Sequence, residues 1–216
     1  MKKFIPCLAM AALLITGCGG ASRKISEEKF REEVTDYGFL LNNNAKFEGD
    51  AIMMGINADA EMGVNSDGKN ISFYFKMKAG EMEMENRLIG EIENNKVKGT
   101  IYAYSEGSWE VEPSPEEGIT LSQFKGLLAT LVYFPTFEMK DFKYDSKEKA
   151  YTAESISVTI DFGEPVPFVF SDVTLSFKKN ELVSYEYTMS GMGESIELEM
   201  ERTEAGGVTV EEPNLR

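Results

Sequence analysis

The chain has 216 residues, 22 Lys and Arg against 37 Asp and Glu, a formal charge of −15, two cysteines and no histidine. So acidic a chain, without a basic stripe, repels nucleic acid and anionic surfaces and excludes nucleic acid as a partner. Without histidine it lacks the commonest general base, the commonest metal ligand and every Ser-His-Asp arrangement, so the expectation is a protein that is not an enzyme and holds no metal or cofactor.

Met1-Lys2-Lys3 is followed by an apolar run from Phe4 to Ile15. This is the charge and hydropathy pattern of a secretory signal. The run is too short to cross a bilayer, which takes about 20 helical residues. It ends in Ile15-Thr16-Gly17-Cys18, which resembles the bacterial lipobox. That resemblance implies a signal peptide over residues 1–17, a diacylglyceryl group on the Cys18 thiol (palmitate being a typical acyl chain), an N-acyl chain there in some hosts, and a protein anchored to a membrane in the extracytoplasmic cell envelope. Two acyl chains anchor stably where one does not. Loss of residues 1–17 removes two lysines and leaves 216 − 17 = 199 residues at a charge of −17. Cys7 leaves with the signal and Cys18 is consumed by lipid, so no disulfide or thiol nucleophile remains.

Residues 18–24 form a flexible linker, and a single domain is expected over 25–204. A leading helix should start at Ser26, a good N-cap followed by Glu27 and Glu28, with Phe30, Val34, Tyr37 and Leu41 on its apolar face. From residue 47 to 111 the period drops to two: Ile52, Met54, Ile56, Ala58, Ala60 and Met62 alternate with Asp50, Met53, Gly55, Asn57, Asp59 and Glu61, and Ile71, Phe73, Phe75 and Met77, then Met82, Met84 and Leu88, likewise share a face. Turns fall at 65–68, at Gly80 and at Asn94-Asn95, which predicts antiparallel hairpins with one wet face. Thr120 and Gln123 form a capping box ahead of Phe124, Leu127, Leu128, Leu131 and Phe134, and Pro135 stops the helix. Because this mid-chain helix is apolar nearly all round, it is expected to be deeply buried. Strands resume over 137–144, 151–162, 166–177, 182–189 and 195–202. The tail, 205–216, carries Gly206-Gly207 and Pro213 and is read as flexible.

Helix, strands, buried helix, strands, without a βαβ rhythm, gives an α+β class with one large antiparallel sheet that curls around the apolar helix. This layout, together with the lipobox and with Phe142-Lys143-Tyr144-Asp145, Ala150-Tyr151, Val173-Thr174-Leu175-Ser176-Phe177-Lys178 and Leu182-Val183-Ser184-Tyr185, resembles the half-barrel lipoproteins: the lipoprotein-localisation carriers of Gram-negative bacteria, the mycobacterial lipid-transfer lipoproteins and small lipoproteins of low-GC Gram-positive bacteria. The resemblance implies a half-barrel with an apolar hollow that takes a lipid or amphiphile, and no catalytic residue to carry over.

The hollow should be lined by Met54, Phe73, Phe75, Met77, Met82, Met84, Leu127, Leu128 and Leu131. Methionine is flexible and polarizable and suits adaptable apolar surfaces, although the same residues also make an ordinary core. Tyr102, Tyr104 and Trp109 offer either a sugar-stacking platform or cross-strand packing. Glu81, Glu83 and Glu85 share a strand face, as do Glu197, Glu199 and Glu201, in the pattern of a solvated surface. The expected protein is a monomer that binds a hydrophobic ligand; the alternative is a surface module that binds protein or cell-wall glycan.

Overall fold

The computed structural model describes residues 24–41, 43–53, 55–161, 165–205 and 208–215. The expected signal peptide, Cys18, most of the expected linker and Met54 lie outside the described residues. The architecture is mostly β rather than α+β: a single open antiparallel sheet of 12 strands with few, short helices. No helix among the described residues is long and apolar enough to cross a membrane.

Strands β1 (Asn44–Met53), β2 (Ile56–Ser66), β3 (Asn70–Ala79), β4 (Met82–Glu93), β5 (Lys96–Ser105) and β6 (Ser108–Pro113) form one meander. After the short β7 (Ile119–Thr120) and the mid-chain helix, β8 (Lys143–Asp145), β9 (Ala150–Asp161), β10 (Pro165–Lys178), β11 (Glu181–Gly191) and β12 (Glu194–Ala205) form a second. The order β6-β5-β4-β3-β2-β1-β12-β11-β10-β9-β8 joins the meanders through the first and last long strands, with Ala51 opposite Leu198 and Gly49 opposite Met200. A Cβ on Gly49 would come within 1.8 Å of the Glu199 carbonyl oxygen, so this seam requires glycine.

The period-two pattern sorts the faces. Ala58, Ala60, Met62 and Val64 of β2 and Ile71, Phe73, Phe75 and Met77 of β3 are buried. Their polar neighbours face outward, where Lys76 meets Glu83 at 2.7 Å and Lys46 meets Glu48 at 2.7 Å. At the 65–68 turn, Asp67 Oδ1 accepts from the Lys69 and Asn70 amides at 2.9 and 2.7 Å, which holds its carboxyl below the usual range and fixes the reversal. The stretch 52–62 is not one strand. The chain reverses inside it, with Met53 paired to Ile56 and Gly55 at φ +77°. The two-residue loop shifts the parity of the alternation, so that Ala51 and Met53 of β1 share a face with Ile56 and Ala58 of β2; the unbroken apolar run Ile52-Met53-Met54 hides that shift in the sequence.

The leading helix is broken. Helix α1 (Glu27–Phe30) is capped by Ser26, whose Oγ accepts from the Lys29 amide at 3.2 Å. It widens into a π-turn over Arg31–Thr35, where the Asp36 amide reaches the Arg31 carbonyl at 2.7 Å. Tyr37 takes φ +58°, and α2 (Gly38–Leu41) follows. The break lets Phe30, Val34 and Tyr37 bury, and then Phe39, Leu40 and Leu41 in succession, which one continuous helical face does not allow. At Gly38 a Cβ would meet the Glu32 carbonyl oxygen at 2.4 Å.

Helix α3 (Leu121–Leu131) carries the expected capping box: the Gln123 amide donates to Thr120 Oγ1 at 3.3 Å, and the Thr120 amide to Gln123 Oε1 at 2.9 Å. Contrary to expectation it is amphipathic. Phe124 and Leu128 are buried, while Ser122, Gln123 and Gly126 face solvent. It also ends at Leu131, and residues 132–142 form a loop with a short 3₁₀ turn at Met139–Asp141 in place of the start of a strand. Helix α3 packs against both β5 and β9, eight steps apart in the strand order. On a flat sheet those strands would lie about 38 Å apart, whereas a helix is about 10 Å across. The sheet is therefore curved, with α3 on its concave side.

The core is a run of aromatic rings. Phe134 lies tilted at 4.9 Å from Phe39 and edge-on at 4.9 Å from Tyr185, and meets Phe137 at 5.4 Å. Phe137 passes the chain of contacts to Phe170 and Phe142, each at 5.5 Å, and Phe142 to Phe30 at 5.5 Å. Phe30 meets Tyr151 at 5.5 Å, and the Tyr151 hydroxyl donates to the Ile25 carbonyl and accepts from its amide, both at 3.0 Å. Residues 208–215, read from the sequence as part of a flexible tail, carry no regular structure. Val208 is nonetheless buried, its carbonyl accepts from Asn65 at 3.0 Å, and the Glu211 carbonyl accepts from Arg87 at 2.8 Å.

Candidate functional site

The antiparallel register puts the β1–β2, β3–β4, β5–β6 and β11–β12 turns at one end of the sheet. There the concave face is unplugged. A groove of about 510 Å³ opens between the first three of these hairpins, within the size range of small-molecule pockets. Its apolar wall is Met53, Ile56, Ala58, Met77, Ala79, Met82 and Met84. Alternation explains the set: Met77 pairs with Met84 and Ala79 with Met82 on the same inward face. The polar rim is Lys78, Glu81, Glu83, Tyr104 and Glu106. The Lys76 ammonium beside Glu83 holds that carboxyl below its usual range. Exposed apolar side chains gather at the same end: Ile56 at the β1–β2 tip is 47% exposed, Met82 at the β3–β4 tip 59% and Met192 at the β11–β12 tip 78%.

Of the residues expected to line a hollow, Met77, Met82 and Met84 line this groove. Phe73, Phe75 and Leu128 are fully buried in the packed core, Phe75 with its ring 5.8 Å from Tyr133. Leu127 borders a separate crevice of about 140 Å³ between α3 and β4–β5, together with Leu88, Val97, Ile101 and Phe124. That is about the volume of an engineered apolar cavity that holds one benzene. Leu131 is partly buried against the core. Met54 lies outside the described residues. Val132, Phe134 and Phe137 of the loop that follows α3 are fully buried, with Phe134 against Tyr185 of β11 and Phe137 against Phe170 of β10, so this part of the concave face is packed rather than hollow. Sequence reasoning, which counted Met53 among the methionines able to line a pocket, missed Ile56, Ala58, Ala79 and Tyr104. The signal for them was present in the hairpin parity, once Gly55 is recognised as a turn.

Tyr102 is buried on the convex face, and Tyr104, at the end of the same strand where it borders the groove, lies 5.1 Å from Trp109 across the β5–β6 pair. The Arg87 guanidinium sits 5.0 Å over the Trp109 ring and pairs with Glu85 at 2.5 Å. One face of the indole is therefore covered, and the trio packs as cross-strand neighbours. Among the described residues, no group of three or more acidic side chains is placed to hold a metal ion. Burial raises the Tyr37 phenol to about 12 and pushes Tyr185 and Tyr187 well above the usual phenol range. These rings are structural: the Tyr37 hydroxyl donates to the Phe134 carbonyl at 2.9 Å, and Tyr187 donates to Tyr133.

No family model matches the chain, and neither does any curated protein or solved structure.

Proposed function

We propose that this is a lipid-anchored, non-catalytic binding protein of the cell envelope, a monomeric half-barrel that holds the apolar part of an amphiphile in the methionine-lined groove. The groove itself carries the proposal. It combines ligand-pocket volume with flexible apolar walls, and charged groups stand only at its rim. The contact of α3 with both β5 and β9 supports the half-barrel description. Anchoring rests on Ile15-Thr16-Gly17-Cys18, with residues 1–17 removed and lipid on Cys18.

Two experiments test the two parts. Native mass spectrometry of protein purified gently from a bacterial host should find a co-purifying lipid mass that organic extraction removes. Met84→Glu, which places a charge on the groove wall, should lose it; a bare mass for the parent protein, unchanged on adding fatty acids or lipids, ends the binding reading. Cys18→Ala should move the protein from the membrane fraction to the soluble fraction, and a chain that stays in the membrane fraction ends the anchor reading.

A second reading, a surface module that binds a protein or cell-wall glycan, is favoured by the packed aromatic core and by the exposed Ile56, Met82 and Met192. It predicts a bare mass together with loss of partner binding on Met192→Ser.

A further inference from the structure

The rim of the groove carries information about the ligand's polar end. Its charged groups are Lys78 against Glu81, Glu83 and Glu106. Glu83 is neutralised by Lys76, which stands outside the lining at 2.7 Å. Glu81 and Glu106 have no ion pair among the described residues. Two free carboxylates thus face a single lysine at the mouth of an apolar groove, within a protein of net charge −15. Tyr104 adds an aromatic ring beside Glu106, and aromatic rings together with carboxylates are the groups that recognise ammonium cations. An anionic headgroup at this mouth would find one cation, Lys78, and would meet two unpaired carboxylates of like charge.

We infer that the groove takes single-chain amphiphiles with a cationic, ammonium-type headgroup in preference to those with an anionic one. The apolar tail lies along Met77 and Met84, and the headgroup stands among Glu81, Glu106 and Tyr104. This rests on the binding reading above and adds the chemical class of its ligand.

The protein supplies its own reporter. Trp109 is the single tryptophan, and its ring is 5.1 Å from Tyr104 on the groove rim. Three probes of matched chain length are titrated below their micelle concentrations at low ionic strength, with Trp109 emission and native mass as readouts: dodecyltrimethylammonium, monododecanoylglycerol and dodecanoate. The expected order is cation, neutral, anion, with about a tenfold affinity gap between the first and last that narrows as salt is added. The double variant Glu81→Gln/Glu106→Gln keeps the affinity for the neutral probe and loses most of the gap. If the neutral probe binds but dodecanoate binds as tightly as the ammonium, or the gap survives in the double variant, the headgroup inference is overturned and the groove reading stands. If none of the probes binds, or binding is indifferent to Met84→Glu, the groove reading itself falls.

Discussion

The two meanders share a strand pattern and fill their concave faces differently. Strands β9–β11, with α1, α2 and the 132–142 loop, present Tyr151, Phe170, Tyr185 and Tyr187 to Phe30, Phe39, Phe134 and Phe137, all but closed to solvent. At the hairpin end of β1–β4 the inward positions are Met53, Met77, Met82 and Met84, and the face stays open. Aromatic rings are rigid and lock into a few tilted and edge-on arrangements, whereas methionine adapts its shape to whatever lies against it. The alternation that builds both halves thus makes a keystone in one and an accommodating surface in the other. Stability should be concentrated in the first and binding in the second.

Truncation at the centre of the aromatic half should have the largest effect. Phe134 is fully buried and lies against Phe39, Tyr185, Phe137 and Tyr37. Phe134→Ala removes all of these contacts and should cost about 3–5 kcal/mol in a urea titration. That is a large share of the roughly 5–15 kcal/mol that holds a typical domain together. A loss below about 1 kcal/mol would mean that the loop after α3 is not the keystone. Next in size is a gain. The Tyr185 hydroxyl is buried with no hydrogen-bond partner among the described residues, at the heart of the same half. Tyr185→Phe keeps the ring stack and deletes the orphan polar atom, so it should stabilise by about 1 kcal/mol. In the open half, Met84→Ala should cost less than about 1 kcal/mol, because its side chain borders solvent-filled space and leaves no sealed cavity. It should nevertheless weaken amphiphile binding measurably. A cost like that of Phe134→Ala would erase the contrast between the halves.

How much of this could be read from the sequence follows the same division. Alternation located the inward faces of β2, β3 and β4, and Thr120 with Gln123 marked the start of α3, because these signals are local. The reversal at Gly55 shifts the parity by one, and the unbroken apolar run Ile52-Met53-Met54 hides that shift in the sequence. The break after Phe30 was hidden because Phe30, Val34, Tyr37 and Leu41 are all buried, as one helical face would have them, while π-widening and a positive φ at Tyr37 do the turning. The groove was misplaced for a non-local reason. Whether the concave face is hollow depends on which segment returns to fill it. The filling residues, Val132, Phe134 and Phe137, belong to an irregular stretch with no period to read. Methionine density pointed to the right strands, and only the register placed the open space at their hairpin ends.

The smallest expected effect concerns the anchoring of the aromatic half by the N-terminal segment. Glu33 reaches from the π-turn to accept the Leu182 amide at 3.0 Å at the start of β11. Burial, the largest influence on it, raises its carboxyl above the usual range; the Leu182 hydrogen bond opposes this and Glu181 adds to it. A raised folded-state pKa means that the native protein binds more protons than the unfolded chain across the window between the ordinary and the raised value. Stability from this group is then full below the ordinary carboxylate pKa and is lost as pH rises through the raised one. Glu33→Gln keeps an oxygen to accept the Leu182 amide and removes the titration. The variant should therefore be slightly more stable than the parent at neutral pH, with the difference vanishing once both are measured below the ordinary carboxylate range. Thermal melts of the two proteins across that window check it. A variant that is less stable at neutral pH would show that the charge on Glu33, through Arg202 and Lys29, holds the N-terminal segment to β11 more than its burial opposes it.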